Sequence, residues 1–228
     1  MDNDRDLTLD DDRYPVKYND VYFYLEGIFM RYTPEQKRQT AANILAAAGR
    51  GFRLDGYGGA GVDGLAQEAG VTSGAFYKHF SSKAAAFEAA VDVGLKDFQH
   101  TAELAIADKH NDWLVALVDY YFSREHRMNL AGGCAVPGLT CEVARGNEQV
   151  RVVYQQGIGR VVSTIETGLT HLGKSERRPR AWAMLAMLSG GVQIARAVHD
   201  EAQATEIATA MRAAVLRFAK APGNISEP

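Results

Sequence analysis

Residues 71–83 read VTSGAFYKHFSSK, and residues 65–70 just before them read LAQEAG. In the earlier segment Leu65, Ala66 and Ala69 fall at the spacing of one buried helix face, and Gly70 can supply the left-handed turn that ends a short helix. Thr72 then offers a hydroxyl to the amides left unpaired in the first turn of a second helix, with Ser73 at its first helical position. Phe76 and Phe80 stand four apart and predict a core-facing stripe, whereas Tyr77, Lys78 and His79 spread over the remaining faces. Ser82 repeats the capping pattern for a helix from Lys83 to about His100, with Phe87, Val91, Leu95 and Phe98 as its buried stripe. Two short helices joined by a glycine turn, the second with a basic and aromatic surface, predict a helix-turn-helix.

The wider chain is consistent with a two-domain, all-helical protein. Its 228 residues include 46% hydrophobic types, enough for a sizeable core. Segments between breakers are rich in Ala with helical periodicity, and alternating Val/Ile/Thr strands are not expected. The net charge of -3 argues against indiscriminate nucleic-acid binding by the whole molecule. Its distribution matters more: residues 1–30 carry eight acids and three bases, and residues 31–83 carry four acids and seven bases. Residues 1–30 therefore read as a poorly ordered acidic extension, either a functional arm or a stretch upstream of an original start at Met30. That segment has neither the basic start nor the apolar run of a secretory signal, and no segment reads as a membrane span, so a cytoplasmic location is expected.

Further residues fall into register around the first motif. Ile44, Leu45, Ala48 and Phe52 mark a preceding helix, followed by Leu65-Ala66, Ala69-Gly70, Gly74, Phe76-Tyr77, His79-Phe80 and Ser82-Lys83. The stretch from about Arg31 to Val93 thereby resembles the DNA-binding domain of the TetR/AcrR family of transcriptional regulators. The resemblance implies a helix-turn-helix domain over residues 31–83, a helical effector-binding and dimerisation domain over 84–220, and a C-terminal tail over 221–228. It also implies a homodimer whose paired helices enter successive major grooves of a palindromic operator, about 34 to 36 Å apart. Arg31, Tyr32 and Thr40 are then expected near the DNA backbone, with Thr72, Ser73, Tyr77, His79 and Lys83 at phosphates. Gly74 lets the backbone come close, and Lys78 is placed to reach a base edge. The chain departs from the family pattern at Gly61, which has no hydroxyl where Ser or Thr is usual, at Gly64 inside a short helix, and at Ala84 in place of an acidic residue.

Beyond His100, helices are expected over residues 111–128, 134–145, 148–172, 175–199 and 201–220. The last two occupy the family's dimer position, with Ser189-Gly190-Gly191 permitting close approach and Ile207, Met211, Val215 and Phe218 as an apolar stripe. Trp113, Leu117, Tyr120, Tyr121, Tyr154, Trp182 and Met187 are candidate lining residues for a small lipophilic effector, although each also suits an ordinary core. Cys134 and Cys141, seven apart on one helix, would lie about 10 Å apart, too far for an internal bridge. The segment around them resembles one in a TetR subgroup with cysteine-based sensing of oxidants and electrophiles. Cys134 follows two glycines at a helix start, where the dipole is expected to lower its pKa, while Cys141 reads as a buried small hydrophobe. A covalent effector, a non-covalent effector and mere packing of Cys134 all remain open. The six histidines lack metal-ligand spacing, and neither a Ser-His-Asp order nor a glycine-rich phosphate loop stands out. The reading is a non-enzymatic regulator without metal or cofactor; the alternative is a helical interaction protein that keeps the fold without specific DNA binding.

Overall fold

The computed structural model describes residues 22–25, 28–31, 33–108 and 112–222. The chain divides into two compact units, one ending at Asn43 and the other beginning at Ile44. In the first, β1 (Tyr22–Leu25) pairs antiparallel with β2 (Ile28–Arg31), Tyr22 opposite Arg31 and Leu25 opposite Ile28. This hairpin was not expected from the sequence: five of its eight paired residues are aromatic or β-branched, but they follow one another instead of alternating with polar ones. Helix α1 (Pro34–Gly59) starts in this unit on a capping box. The Gln36 amide donates to Thr33 Oγ1 at 3.1 Å, and the Thr33 amide donates to Gln36 Oε1 at 2.8 Å.

The second unit holds the rest of α1, then α2 (Val62–Glu68), α3 (Ser73–His79), α4 (Lys83–Ala107), α5 (Trp113–Phe122) and α6 (Arg124–Met128). It continues with α7 (Ala135–Arg145), α8 (Glu148–Gly168), α9 (Lys174–Ala197) and α10 (Glu201–Lys220). Helix α1 is interrupted at Gly56, whose φ of 71° and ψ of 172° leave the helical region. Gly70, also at φ 71°, makes the turn expected after α2. Ile44, Ala48 and Phe52 of α1, Leu65 and Ala66 of α2, Phe76 of α3 and Phe87 of α4 are buried in one core. The Phe52 and Phe87 rings meet edge to face at 5.1 Å.

The remaining helices form a bundle around α4, which packs along α8, while α9 packs along α10. The expected helix over 111–128 is two helices, broken at Ser123, whose side chain accepts the His126 amide at 3.1 Å and so starts α6. Helix α4 runs to Ala107, seven residues past His100, because Ala102 extends its buried stripe. In α10 the buried stripe is Ala204, Ala208, Val215 and Ala219, with Ile207, Met211 and Phe218 only half-buried. Gly191 serves a contact within the chain: a Cβ there would stand 2.9 Å from Phe122 and 3.0 Å from Met211, so α9 and α10 depend on its absence. Among the described residues no helix is long and apolar enough to cross a membrane.

Candidate nucleic-acid interface and cavity

The candidate recognition surface is built by local rules. Thr72 Oγ1 accepts the Ala75 amide at 3.2 Å and sets the start of α3, and Ser82 Oγ accepts the Ala85 amide at 3.0 Å and sets the start of α4. Phe76 is fully buried and fixes the rotation of α3, while Phe80, at its C-cap, is half-buried against the core rather than fully inside it. That rotation leaves Tyr77 53% exposed, with Gly74 and Lys78 also exposed and His79 half-buried. Lys83 sits with its ammonium 4.7 Å above the Tyr57 ring, a cation–π contact that steadies its charge near the start of α4. The Ser73 hydroxyl donates to Asp63 Oδ1 of α2 at 2.5 Å. Thr40 is engaged within α1, donating to the Gln36 carbonyl at 2.8 Å. Arg31 ends β2, and Tyr32 lies outside the described residues.

The second site is a partly open cavity of about 100 Å³ lined by Arg53, Gly94, Asp97, Phe98, Thr101, Tyr120, Tyr121, Gly132, Gly133, Cys134 and Ala135. It brings together three of the expected lining residues, Tyr120, Tyr121 and Cys134. Of the others, Leu117 is core, Trp113 and Met187 pack half-buried against it, and Trp182 is 42% exposed on α9. Tyr154 is half-buried, its hydroxyl 2.8 Å from Thr140 Oγ1. Arg53 and Asp97 belong to the lining but carry no sequence signal, since each lies on a helix whose partner is remote in the chain.

The loop before α7 is tied down on both sides. Arg53 Nε donates to the Ala131 carbonyl at 2.5 Å, so the end of α1 grips the loop that carries Cys134. Arg196 of α9 donates to the His126 carbonyl at 2.7 Å and the Arg127 carbonyl at 3.0 Å. A Cβ at Gly133 would stand 2.5 Å from the Asn129 carbonyl and 2.6 Å from the Arg196 guanidinium, so only glycine fits. His126 Nδ1 lies 2.8 Å from the Tyr121 carbonyl and must donate to it; Nε2 then accepts the Cys134 amide at 3.4 Å, which fixes the neutral ring. Burial, opposed by the bond to the Tyr121 carbonyl and aided by Arg196, holds the His126 pKa below its usual value.

Both cysteine expectations require correction. Cys134 does stand at the start of α7, without a side-chain capping bond, but burial pushes its thiol above the ordinary value, outweighing the opposing pull of the Tyr121 hydroxyl, Arg196 and Arg53. The helix start is too weak a field to offset desolvation. Cys141 is exposed, not buried. The Tyr121 hydroxyl beside Cys134 is fully buried without a partner in hydrogen-bond geometry, and burial raises its pKa well above the ordinary phenol value.

A half-exposed α3 seated on a fully buried Phe76, preceded by α2 and a left-handed glycine, defines a helix-turn-helix protein with a helical second domain. Comparison with known proteins agrees. Residues 44–90 match the family described as "Bacterial regulatory proteins, tetR family". The regulator TtgR of Pseudomonas putida is 34% identical over 172 residues, which cover 71% of this chain and 82% of that protein. The chain belongs to the TetR family and is a DNA-binding transcriptional regulator, not an enzyme. Its fold is also that of Escherichia coli NemR in its reduced form, with a TM-score of 0.66 at 20% identity, covering 78% of this chain and 97% of that one. FadR of Bacillus subtilis in complex with stearoyl-CoA gives a TM-score of 0.61 at 16% identity, again over 78% and 97%.

Proposed function

We propose that this regulator is a cytoplasmic repressor that binds a palindromic operator as a homodimer and is released by a small effector. The DNA-binding domain spans residues 31–83 and the effector and dimerisation domain residues 84–220. The observation that carries the reading is α3 itself, where buried Phe76 forces Tyr77 and Lys78 outward on a helix capped by Thr72. Tyr77 and His79 are assigned to phosphates and Lys78 to a base edge, with Gly74 allowing close approach. Lys83, Thr72, Thr40, Arg31 and Tyr32 complete the backbone contacts.

Dimerisation is supported by α9, where Trp182, Ala186, Gly190 and Ile194 follow one another at four-residue spacing. Trp182 is 42% and Ile194 58% exposed, and a Cβ on Gly190 would meet nothing within 4 Å. An exposed apolar row of this kind suits a helical interface between two copies. For the effector, the cavity beside Cys134, Tyr120 and Tyr121 is the best-supported place. Its volume of about 100 Å³ suits a few heavy atoms and not a long acyl chain, so a small lipophilic or electrophilic molecule is favoured over an acyl-CoA such as the one FadR holds.

Fluorescence anisotropy with duplex DNA from upstream of the chain's own gene tests the reading. Wild type should bind with an affinity that falls steeply with salt. The Tyr77→Ala, Lys78→Ala double variant should lose at least about tenfold in affinity at an unchanged melting temperature. Full affinity in that variant would remove the assignment, and salt-insensitive or absent binding by wild type would favour the interaction-protein alternative.

A further inference from the structure

Asp63 is exposed on α2, and its carboxylate touches Ser73 of α3 at 2.5 Å. Among the described residues no Lys or Arg forms an ion pair with it. Its exposed carboxylate therefore lies at the start of α3, on a surface whose proposed partner is a polyanion. A phosphate placed there would be repelled, so this spot does not serve backbone contact. The hydrogen bond has a second consequence. Ser73 spends its only proton on Asp63, so the outward atoms of the pair, the free carboxylate oxygen and the serine lone pairs, are all acceptors.

We propose that the Asp63–Ser73 pair is a specificity determinant that reads an amino group on a base edge in the major groove, that of cytosine in the first place. This rests on the DNA-binding reading above. An acceptor-only surface matches the cytosine 4-amino donor and opposes the two acceptors of guanine and the O4 of thymine. The neighbouring surface is open enough for a base to approach: a Cβ on Gly64 would meet nothing within 4 Å, and one on Gly74 only Thr72 Oγ1 at 3.8 Å. Neither glycine is demanded by packing. Gly64 costs its short helix roughly 1 kcal/mol against alanine, a cost that room for DNA explains and the fold does not. Asp63 also lies in the first turn of α2, where a carboxylate favours the helix dipole, but that role needs no partner on α3.

Selection from a randomised duplex library with full-length wild type, Asp63→Ala, Asp63→Asn and Ser73→Ala decides the matter, with circular dichroism confirming that each variant is folded. Wild type should select one sequence containing a cytosine preference of about tenfold at one position of each half-site. Asp63→Ala should lose that preference and keep the rest of the selected sequence. Asp63→Asn, which both donates and accepts, should admit guanine or thymine at the same position, and Ser73→Ala should weaken the preference. An unchanged sequence preference in Asp63→Ala overturns the proposal, and so does a uniform gain in affinity, which would mark Asp63 as a charge that only repels phosphate. If wild type itself selects no sequence, the DNA-binding reading fails with it, an outcome distinct from an intact selection that ignores Asp63.

Discussion

The recognition surface of α2 and α3 and the loop around Cys134 both stand at helix starts, yet opposite influences govern them. At α3 the groups that matter are exposed, and short-range rules suffice: Thr72 caps, Phe76 anchors, and Tyr77 faces out. At α7 the cap residue is again where the sequence places it, but its chemistry is reversed by what surrounds it. Arg53 from α1, Tyr121 from α5 and Arg196 from α9 converge on that loop, and burial raises the Cys134 thiol where the local helix would lower it. A helix start has a predictable shape; its reactivity depends on the water left around it.

The contrast can be broken first at its anchor. Phe76→Ala should destabilise the second unit by about 3–5 kcal/mol in urea unfolding, since a fully buried ring in a shared core leaves a cavity that neighbours fill only partly. A loss under 1 kcal/mol would mean that α3 is not held by this ring. Next, Arg53→Met removes the donor to the Ala131 carbonyl and should cost about 1–3 kcal/mol, while leaving the recognition surface intact. If stability were unchanged, the tie between α1 and the Cys134 loop would be dispensable.

The thiols test burial directly. In single-cysteine variants, iodoacetamide at neutral pH should modify exposed Cys141 about tenfold or more faster than Cys134. The Cys134 rate should keep rising at pH values where an ordinary thiol has levelled off. Faster modification of Cys134 at neutral pH would restore the sensing chemistry suggested by its place at a helix start.

The smallest effect concerns Asp112, which caps α5 and meets Lys220 at 2.7 Å. The hydrogen bond to Lys220 is the main cause that lowers its pKa, so the unfolded chain binds its proton more readily than the folded one. The pair's stabilisation is therefore present above the ordinary Asp value near 4 and lost as pH falls through the folded value. Both side chains are about half exposed, so Lys220→Met should cost only about 0.2–1 kcal/mol at pH 7, a difference that vanishes in strong acid.

Residues 71–83 were legible because caps, a left-handed glycine and four-residue aromatic spacing are all local signals. The same signals located α7 and α10 to within a residue. They did not reveal the break at Ser123, because no glycine or proline marks it and the residues after it are all compatible with a helix, or the exposure of Trp182, because an apolar residue on a helix reads as core until its neighbours are known.

The sequence by itself determined the helix-turn-helix, its capping residues, the buried and exposed faces of α3 and the family, since these follow from residues within a few turns of one another. Only the tertiary structure decided that Ser73 bonds Asp63, that Arg53 and Asp97 join Tyr121 and Cys134 at one cavity, that burial raises the Cys134 thiol and that Cys141 is exposed. Those outcomes depend on contacts between remote segments and on desolvation, which is set by everything packed around a group and is written in no single stretch of chain.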